Sequence, residues 1–427
     1  MNVAFKTLGC KLNYSETSSI SRDFENKGHK KVSFKHNADL YVINTCSVTQ
    51  NADKEFKYLV NKAKKQNPKS KIIAIGCYAQ LKPNEISKIE GVDLVLGADK
   101  KFDILNYIDV NYTHSCEINS VTTFESAFSL GDRTRSFLKV QDGCDYKCTY
   151  CTIPLARGKS RSGEIIEIVD NAKKLVDNGV KEIVLTGVNI GDYGFSSKDK
   201  VRQSTFLDLI KNIEMVSGLE RVRISSIEPN LLSDEIIHFV SESKKFMPHF
   251  HIPLQSGSNK ILKLMKRRYL KNLYEKRVEK IKTLIPDCCI GADIIVGFPS
   301  EDEKDFLETY TFLEKLDVSY LHVFPFSERD NTEAKALNDK NSTQTKNERS
   351  YLLRKLSDLK KNKFYKKNIF SNRKVLFESE NKNGFVHGFT DNYMRVKTLW
   401  SSKLVDKVIN INLYDIDDDK IILGKTV

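Results

Sequence analysis

Three cysteines stand close together near the middle of the chain, at Cys144, Cys148 and Cys151. Their CxxxCxxC spacing allows one short loop to hold three irons of a 4Fe–4S cube, and no fourth cysteine follows nearby. Since such a cube normally takes four cysteine thiolates, the fourth iron is left open to a small molecule. Structural zinc sites use pairs of ligands that are further apart in sequence, so a tight triplet fits zinc poorly. The spacing therefore predicts an iron–sulfur cluster that can bind a small cofactor.

Three further cysteines, Cys10, Cys46 and Cys77, each follow a short β-rich run, namely VAFKTLG, LYVINT and KIIAIG. Helical stretches separate these runs, and the alternation predicts a parallel, Rossmann-like α/β sheet. Ligands of such sheets bind outside the carboxyl ends of the strands, so the three thiols would converge there. We therefore expect a second, auxiliary 4Fe–4S cluster, although each cysteine could instead be a small buried residue at a strand end. The remaining cysteines are predicted not to bind metal: Cys116, Cys288 and Cys289.

Beyond the polar segment 113–132, strand and helix patterns alternate six times and predict a partial (β/α)6 barrel. The strands are SFLKVQ, EIVLTGV, RVRISSI, HFHIPLQ, GADIIVGF and YLHVFPFS. Chemistry in barrels of this kind takes place at the carboxyl ends of the strands. Each strand has polar or glycine residues at that end, which predicts a binding cavity lined by Cys144, Thr186, Gly187, Asn189, Glu228, Gln255, Asp293 and Ser327.

The C-terminal part of the chain begins with a long basic helix over residues 342–369, and short strands with turn residues follow it. These strands predict a small antiparallel β-barrel over residues 370–427. Small barrels often bind RNA with basic and aromatic side chains, and the net charge of +13 agrees with a nucleic-acid partner. A solvated basic face on ordinary half-buried strands would explain the same residues equally well. The candidate RNA contacts are Tyr393, Arg395, Lys397 and Trp400.

These patterns divide the chain into four parts. No apolar run is long enough to span a bilayer, and the N-terminus lacks the pattern of a signal peptide. We therefore expect a cytoplasmic protein without a membrane partner, in which the nine cysteines stay reduced. The expected parts are an N-terminal α/β domain at 1–112, a linker at 113–132, the barrel domain with its trailing helix at 133–369, and the C-terminal barrel at 370–427.

Longer motifs surround the candidate residues. They include GCYAQ, DRTRSFLKVQDGCDYKCTYCTIPLARG, ISSIEP, HIPLQSGSN, DIIVGFPSE, LHVFPFSER and TDNYMRV. Together with the order of the parts, they resemble the methylthiotransferase family of radical S-adenosylmethionine (SAM) enzymes over the whole chain. In this family the N-terminal domain carries an auxiliary cluster, and the C-terminal barrel is a TRAM domain.

Two cysteine motifs distinguish the branches of that family. This chain has GCKLN around Cys10 and NTCSVTQNAD around Cys46, so its distinguishing residues are Lys11, Thr49 and Asp53. These two motifs resemble those of the branch that acts on N6-threonylcarbamoyladenosine next to the anticodon of tRNA. The branch for isopentenyladenosine in tRNA typically has GCQMN and NTCSIR, and the branch for a ribosomal-protein aspartate has GCPKN and NTCGF. Both remain alternatives, and a non-catalytic iron–sulfur RNA-binding protein is disfavoured because a binder needs no open iron.

The resemblance also implies the chemistry. The C2–H bond of adenine is not activated, so inserting sulfur there requires a radical, which a cofactor supplies. SAM would bind the open iron of the Cys144, Cys148 and Cys151 cluster and be cleaved to a radical that removes this hydrogen. The auxiliary cluster would supply sulfur, a second SAM the methyl group, and a flavodoxin or ferredoxin the electrons, with the tRNA anticodon stem-loop as substrate. Candidate SAM contacts are Tyr150, Thr186, Gly187, Asn189, Glu228, Gln255 and Asp293.

Two arginines directly follow the cluster loop, Arg157 and Arg161. Each is positioned to meet a carboxylate or phosphate of a ligand, or to serve as a structural ion-pair partner, and the sequence does not separate these two roles.

Overall fold

The computed structural model describes residues 1–47, 50–110, 112–131, 133–196 and 201–427. The branch position Thr49 and the last residue of the expected linker, Asp132, lie outside the described residues.

The N-terminal region forms a parallel sheet with strand order β2-β1-β3-β4-β5-β6 and helices packed on it. All its strand pairs are parallel, as the alternation of strands and helices predicts. The first helix begins directly after Cys10. The strands are β1 (Asn2–Thr7), β2 (Lys30–Val32), β3 (Leu40–Thr45), β4 (Lys71–Gly76), β5 (Leu94–Leu96) and β6 (Tyr112–His114), and the helices are α1 (Lys11–Asn26), α2 (Gln50–Gln66), α3 (Cys77–Leu81) and α4 (Pro83–Ile86).

The register of this sheet aligns the ends of its three central strands. Thr7 of β1 is paired with Asn44 of β3, and Thr45 of β3 with Gly76 of β4. The segments that follow these strands therefore leave the sheet at one edge. The edge strand β6 extends past residue 112, so the sheet includes the first residues of the segment expected to be a linker.

The central region is a partial barrel of parallel strands. Its strands form the sheets β13-β10-β7 and β14-β15-β16, joined by the parallel bridge between Ser226 and His251. Two short antiparallel pairs, β8 with β9 and β11 with β12, lie beside the carboxyl ends of these strands. The strands are β7 (Arg135–Lys139), β8 (Gln141–Asp142), β9 (Arg161–Ser162), β10 (Glu182–Thr186), β11 (Phe195–Ser196), β12 (Val201–Arg202), β13 (Arg221–Ile224), β14 (His249–His251), β15 (Cys289–Val296) and β16 (Tyr320–Pro325), and the helices are α5 (Ile153–Arg157), α6 (Ile165–Asp177), α7 (Phe206–Glu214), α8 (Asp234–Glu242), α9 (Asn259–Leu264), α10 (Lys271–Leu284) and α11 (Glu303–Lys315).

Successive side chains along the barrel strands point alternately to two faces of the sheet. On β14 and β15, Phe250, Ile290 and Ala292 pack outward against the helices in the main hydrophobic core. The alternate residues, such as His249 and His251 on β14 and Asp293 on β15, point to the other face, which encloses the lumen of the barrel. The chemistry-bearing side chains of these strands therefore face the lumen, away from the apolar core.

The C-terminal region consists of a long helix and a closed five-stranded barrel, all within described residues. Its strand order is β17-β18-β19-β21-β20, and its pairs are antiparallel except for the parallel pair β19 and β21. The predicted fold class is therefore confirmed, with this one parallel pair as a difference. The elements are α12 (Thr343–Asn368), β17 (Asn372–Lys382), β18 (Phe385–Thr390), β19 (Arg395–Leu399), β20 (Val408–Ile416) and β21 (Ile422–Thr426).

The small barrel covers the amino-terminal ends of the large one. Arg221 and Arg223, at the start of β13, donate hydrogen bonds to the carbonyl oxygens of Lys374, Phe389, Thr390 and Asp391. Both arginines are ion-paired with the buried Glu182 of β10. The C-terminal barrel thus closes one end of the lumen.

Within the described residues, no helix combines the length and the apolarity that crossing a bilayer demands.

Candidate active site

The CxxxCxxC loop connects β8 to α5 and is held by backbone hydrogen bonds. Gly143, which precedes the loop, has φ +69°, and a Cβ atom there would lie 1.9 Å from the carbonyl oxygen of Lys159. Cys144 N–H donates to the carbonyl oxygen of Gly158 at 3.0 Å, and Thr149 N–H to that of Met265 at 3.2 Å. Only glycine fits at position 143, because both the backbone conformation and the close approach exclude a side chain.

The three thiols of this loop lie at the carboxyl end of the barrel. Tyr146 N–H donates to Cys144 Sγ at 3.4 Å, and Arg267 Nη1–H donates to Cys148 Sγ at 3.1 Å. Burial raises the pKa of Cys144 and of Cys151 to about 12, and each neighbouring thiol adds to this effect. A compact set of soft sulfur donors is suited to an iron–sulfur cluster. The residues present therefore fit the cluster that the spacing predicts.

Arg267 brings two candidate SAM contacts to the cysteine loop. It forms an ion pair with Glu228 and donates to Tyr150 Oη at 3.3 Å. Burial raises the pKa of Glu228 although Arg267 opposes the shift. The sequence reasoning missed Arg267, whose only signal is its place in the basic run KRR.

The turn after β10 wraps around a buried glutamine. Gln141 Oε1 accepts hydrogen bonds from Val188 N–H at 2.9 Å and Asn189 N–H at 2.8 Å. A Cβ atom on Gly187 would lie 2.9 Å from the same oxygen. Gln141 Nε2–H also donates to the carbonyl oxygen of Gly143 at 2.7 Å. The structure therefore places the Thr186–Asn189 turn beside the cysteine loop, although the Asn189 amide itself donates to Asp192.

The other two candidate SAM contacts lie around the lumen. Gln255 has φ +68°, and its N–H donates to the carbonyl oxygen of Asp293 at 2.8 Å. The Asp293 carboxylate lies 2.8 Å from His251 Nε2 and 3.3 Å from His322 Nδ1. Burial acts to raise the pKa of Asp293, but the two histidines outweigh it and hold the pKa well below its usual value. The Asp293 side chain is thus occupied by two histidines that the sequence reasoning did not single out.

The three N-terminal cysteines lie at the same edge of the sheet. Cys10 precedes α1, Cys46 follows β3, and Cys77 is the first residue of α3. Asn13 pins the segments together, because its Nδ2–H donates to the carbonyl oxygens of Leu8 at 2.9 Å and Thr45 at 3.0 Å. This edge provides a second compact set of sulfur donors, which fits an auxiliary cluster.

Close contact within this set also explains the glycine before Cys10. A Cβ atom on Gly9, which has φ +91°, would lie 2.7 Å from Cys46 Sγ. The Cys10 segment therefore passes directly over Cys46. Burial raises the pKa of the Cys77 thiol, and the Arg157 charge opposes this shift, which puts Arg157 beside the second set.

A buried ion network joins the two sets of cysteines. Glu16 of α1 forms ion pairs with Arg157 at 3.0 Å, Lys101 at 2.7 Å and Lys139 at 3.0 Å. Asp142, two residues before Cys144, binds Arg157 at 2.9 Å and also pairs with Lys139 and Arg161. Burial acts to raise the pKa of Glu16, but the three cations together hold it far below its usual value. Arg157 and Arg161 are therefore ion-pair partners in this structure, and Glu16, Lys101, Lys139 and Asp142 were missed by sequence reasoning.

A second contact between the barrel and the N-terminal region lies on the other side of the N-terminal sheet. Arg329, after β16, donates to Ser47 Oγ and to Asp53 Oδ2, each at 3.0 Å. Asp53 is one of the branch positions, and Ser47 follows Cys46. The barrel thus contacts the N-terminal region next to two of its cysteine segments.

The candidate RNA contacts occupy different environments. The Tyr393 ring stacks on His249 at 4.2 Å between ring centroids, at the junction of the two barrels. Arg395 is ion-paired with Glu378 at 2.7 Å, and Lys397 is ion-paired with Asp417. Trp400 is exposed.

The remaining cysteines have other surroundings. Cys288 is buried in the main core, and Cys289 is buried in the core that the C-terminal barrel shares with β16. Cys116 contacts Gln80 Oε1 at 3.7 Å.

Comparison with family models matches two regions of the chain. Residues 2–97 match the model described as "Uncharacterized protein family UPF0004", and residues 138–313 match the radical SAM superfamily. The cysteine triplets lie one in each region.

Curated proteins match over nearly the whole chain. The threonylcarbamoyladenosine tRNA methylthiotransferase MtaB of Bacillus subtilis is 40% identical, covering 96% of this chain and 93% of its own length. MtaB of Aquifex aeolicus is also 40% identical, covering 93% and 96%. A tRNA-2-methylthio-N(6)-dimethylallyladenosine synthase of Aliarcobacter butzleri is 34% identical, covering 96% and 95%.

Among solved structures, the radical SAM methyltransferase TsrM of Kitasatospora setae has a TM-score of 0.55 at 12% identity, covering 78% of this chain and 77% of its own. At that identity the likeness supports the fold alone.

Proposed function

We infer that this chain, which belongs to the MtaB family of radical SAM methylthiotransferases, converts N6-threonylcarbamoyladenosine in tRNA to its 2-methylthio derivative. The identity to MtaB proteins, 35–40% over nearly the full length, favours this substrate over isopentenyladenosine and over a ribosomal protein. The radical SAM superfamily implies one 4Fe–4S cluster and SAM.

The same residues hold the two cysteine sets together, and this observation supports the proposal independently of family membership. Asn13, which fixes the Cys10 and Cys46 segments, accepts a 2.5 Å hydrogen bond from Arg157 Nη2. Arg157 is the last residue of the helix that follows Cys151. A reaction that needs a radical and a sulfur atom at one carbon requires two such sites to face one substrate.

We propose that each cysteine set holds a 4Fe–4S cluster. Cys144, Cys148 and Cys151 would hold the cluster that binds SAM, and the auxiliary set is Cys10, Cys46 and Cys77. When bound, the first supplies the electron that cleaves SAM and the second supplies sulfur, with a second SAM as methyl donor. Electrons would come from a donor of the flavodoxin or ferredoxin type.

The side chains around the first set would shape its cavity. Arg267 holds Glu228 and Tyr150 beside the thiols, so these residues would position SAM and keep water from the open iron. The Thr186–Asn189 turn offers backbone groups next to the loop, and Gln255 lines the same rim. Asp293 would influence this cavity only through His251 and His322, because both histidines contact its carboxylate.

We also propose the division of labour among the four parts of the chain. Residues 1–112 would hold the auxiliary cluster, 113–132 would connect, 133–369 would generate the radical, and 370–427 would bind the anticodon stem-loop in the cytoplasm. Arg395 and Lys397 would exchange their carboxylate partners for phosphates, and Tyr393 would contribute from the junction.

The test uses anaerobically reconstituted protein and anticodon stem-loops that carry either threonylcarbamoyl- or isopentenyladenosine. Wild type should bind about eight irons per chain, as two cubes require, and form the 2-methylthio product only on the first RNA, measured by mass spectrometry. Replacing Cys144, Cys148 and Cys151 by alanine should remove half the iron and all SAM cleavage. The matched control is Cys116→Ala, which should change neither.

The auxiliary set is tested separately. Replacing Cys10, Cys46 and Cys77 by alanine should leave 5′-deoxyadenosine formation measurable while sulfur insertion is lost. Unchanged methylthiolation in this variant would overturn the sulfur-donor assignment.

A further inference from the structure

The lumen contains a group of polar side chains to which the proposed function assigns no contact with the RNA. His251, Asp293 and His322 lie on the adjacent strands β14, β15 and β16, with Asp293 directly paired in register with His322. The Asp293 carboxylate contacts both histidines, and the two imidazole rings are 5.1 Å apart. Gln255 N–H donates to the backbone carbonyl oxygen of Asp293 at 2.8 Å, and the Asp293 charge acts on Glu228, which Arg267 ties to the cysteine loop, so the group borders the same cavity.

His322 is oriented by this arrangement. Its Nδ1–H is directed at Asp293, so the neutral imidazole presents the lone pair of Nε2 away from the carboxylate. The side chain is 52% exposed, and Phe324, two residues along the same face of β16, is also exposed. His322 therefore offers a fixed hydrogen-bond acceptor to a ligand in the lumen.

Lys11 supplies a positive charge to the same space. It starts α1 directly after Cys10, and α1 lies on the barrel, where the Tyr14 ring packs against Phe137 of β7 at 5.7 Å. Lys11 stands three residues before Tyr14, so both side chains lie on the face of α1 that packs against the barrel. Burial lowers the pKa of His249 and the Lys11 charge adds to this shift; the His249 ring lies parallel to Tyr320 at 6.3 Å, and Tyr320 in turn is 5.1 Å from the His322 ring. Lys11 is exposed, and no carboxylate of the described residues lies within ion-pairing distance of it.

The chemistry of the substrate matches these two groups. A threonylcarbamoyl group carries a carboxylate and a hydroxyl, whereas an isopentenyl group carries neither. The target base must leave the RNA stack to reach the lumen. C2 and N6 both lie on the Watson–Crick edge of adenine, so a residue adjacent to a ligand of the sulfur-donating cluster is within reach of the N6 substituent.

We propose that Lys11 binds the carboxylate of the threonylcarbamoyl group and that His322, oriented by Asp293, accepts a hydrogen bond from its hydroxyl. This inference rests on the proposed function and names the residues that select its substrate. A site that hydrogen-bonds a substrate group rejects analogues lacking that group, because its own polar atoms are then left unpaired.

The experiment compares stem-loops that differ only in the N6 substituent: the threonyl acid, its methyl ester, and the 2-aminobutyryl analogue, in which hydrogen replaces the hydroxyl. Wild type should prefer the acid over the ester in kcat/KM by about tenfold to a hundredfold, the range for a charged hydrogen bond. Lys11→Met should bring the ratio of acid to ester close to one while the preference for the hydroxyl persists. His322→Phe should abolish the preference for the hydroxyl while the preference for the acid over the ester persists. Lys11→Arg should keep the preference for the acid, because it keeps the positive charge.

Lys27→Met is the matched control, since Lys27 follows the other end of α1 and is likewise exposed; it should keep both wild-type ratios. If Lys11→Met retains the wild-type ratio of acid to ester, or if both variants lose activity equally on all three RNAs, the inference is overturned. Wild type that modifies only isopentenyl RNA would overturn the proposed function itself. Wild type that modifies the acid and the ester equally would overturn the inference alone.

Discussion

Arg157 and Glu16 form a bidentate ion pair, with 3.0 Å between Nη1 and Oε1 and 3.2 Å between Nη2 and Oε2. The two residues are far apart in sequence, one after the cysteine loop of the barrel and the other on the helix that follows Cys10. Planar pairing of this kind fixes orientation as well as distance. The pair therefore aligns the two cysteine sets.

Replacing Glu16 by glutamine should strongly destabilise the protein. The substitution leaves Arg157, Lys101 and Lys139 buried without their shared carboxylate, and breaking a buried pair in this way costs about 3–5 kcal/mol. Thermal and urea unfolding of the cluster-free protein measure the effect. Glu25→Gln, at an exposed position of the same helix, is the control and should change stability by less than about 0.5 kcal/mol.

The same pair predicts a pH dependence. Since the pKa of Glu16 in the folded protein lies far below its ordinary value of 4.5, its stabilisation is fully present above pH 4.5 and is lost as the pH falls further. The difference in unfolding free energy between wild type and Glu16→Gln should thus be constant from pH 7 to 5. Below pH 4.5 it should narrow by about 1.4 kcal/mol per pH unit. A difference that stays constant down to pH 3.5 would contradict the assignment.

Gly143→Ala should prevent the cysteine loop from closing. The new Cβ atom would meet the carbonyl oxygen of Lys159, and the backbone that closes around Cys144 would have to move. We expect about half the iron of wild type, as one of the two proposed cubes is lost, together with loss of SAM cleavage. Gly179→Ala is the control, because Gly179 also has positive φ, +83°, but has no atom within 4 Å of the added Cβ.

RNA binding by the C-terminal barrel is best tested with single substitutions. Deleting residues 370–427 would uncover Arg221, Arg223 and His249, so a defect of that variant would not report on RNA contact alone. If Arg395 and Lys397 contact phosphates, each change to glutamine should reduce the slope of log affinity against log salt by about 0.7–0.9. The measurement is tRNA binding across a salt series, and an unchanged slope in both variants would place recognition elsewhere.

The strand ends were predictable because parallel strands with helical crossovers bring their carboxyl ends to one edge. This rule places Cys10, Cys46 and Cys77 together without knowledge of any side-chain contact. The network around Glu16 was not predictable, since its partners Lys139 and Arg157 are 123 and 141 residues away in sequence. No local pattern encodes such a contact.

The neighbours of Asp293 and of Tyr393 could not be predicted from the sequence for a similar reason. Asp293 ends up between two histidines because neighbouring strands align it with His322, and that alignment depends on register. The aromatic ring of Tyr393 stacks on His249 because the C-terminal barrel docks on the large one. Docking between parts of a chain leaves no periodic signal in either part.

Closure by the C-terminal barrel makes the lumen a chamber that is blocked at its amino-terminal end. Arg135 lies over the Phe389 ring at 4.4 Å, and with Arg221 and Arg223 it seals the far end. A ligand cannot pass through this blocked end, so SAM and the nucleobase have to share the remaining access to the lumen. If SAM and the nucleobase both pass the rim at the cysteine loop, SAM is expected to bind before the nucleobase, and 5′-deoxyadenosine and methionine to leave only after the RNA has withdrawn.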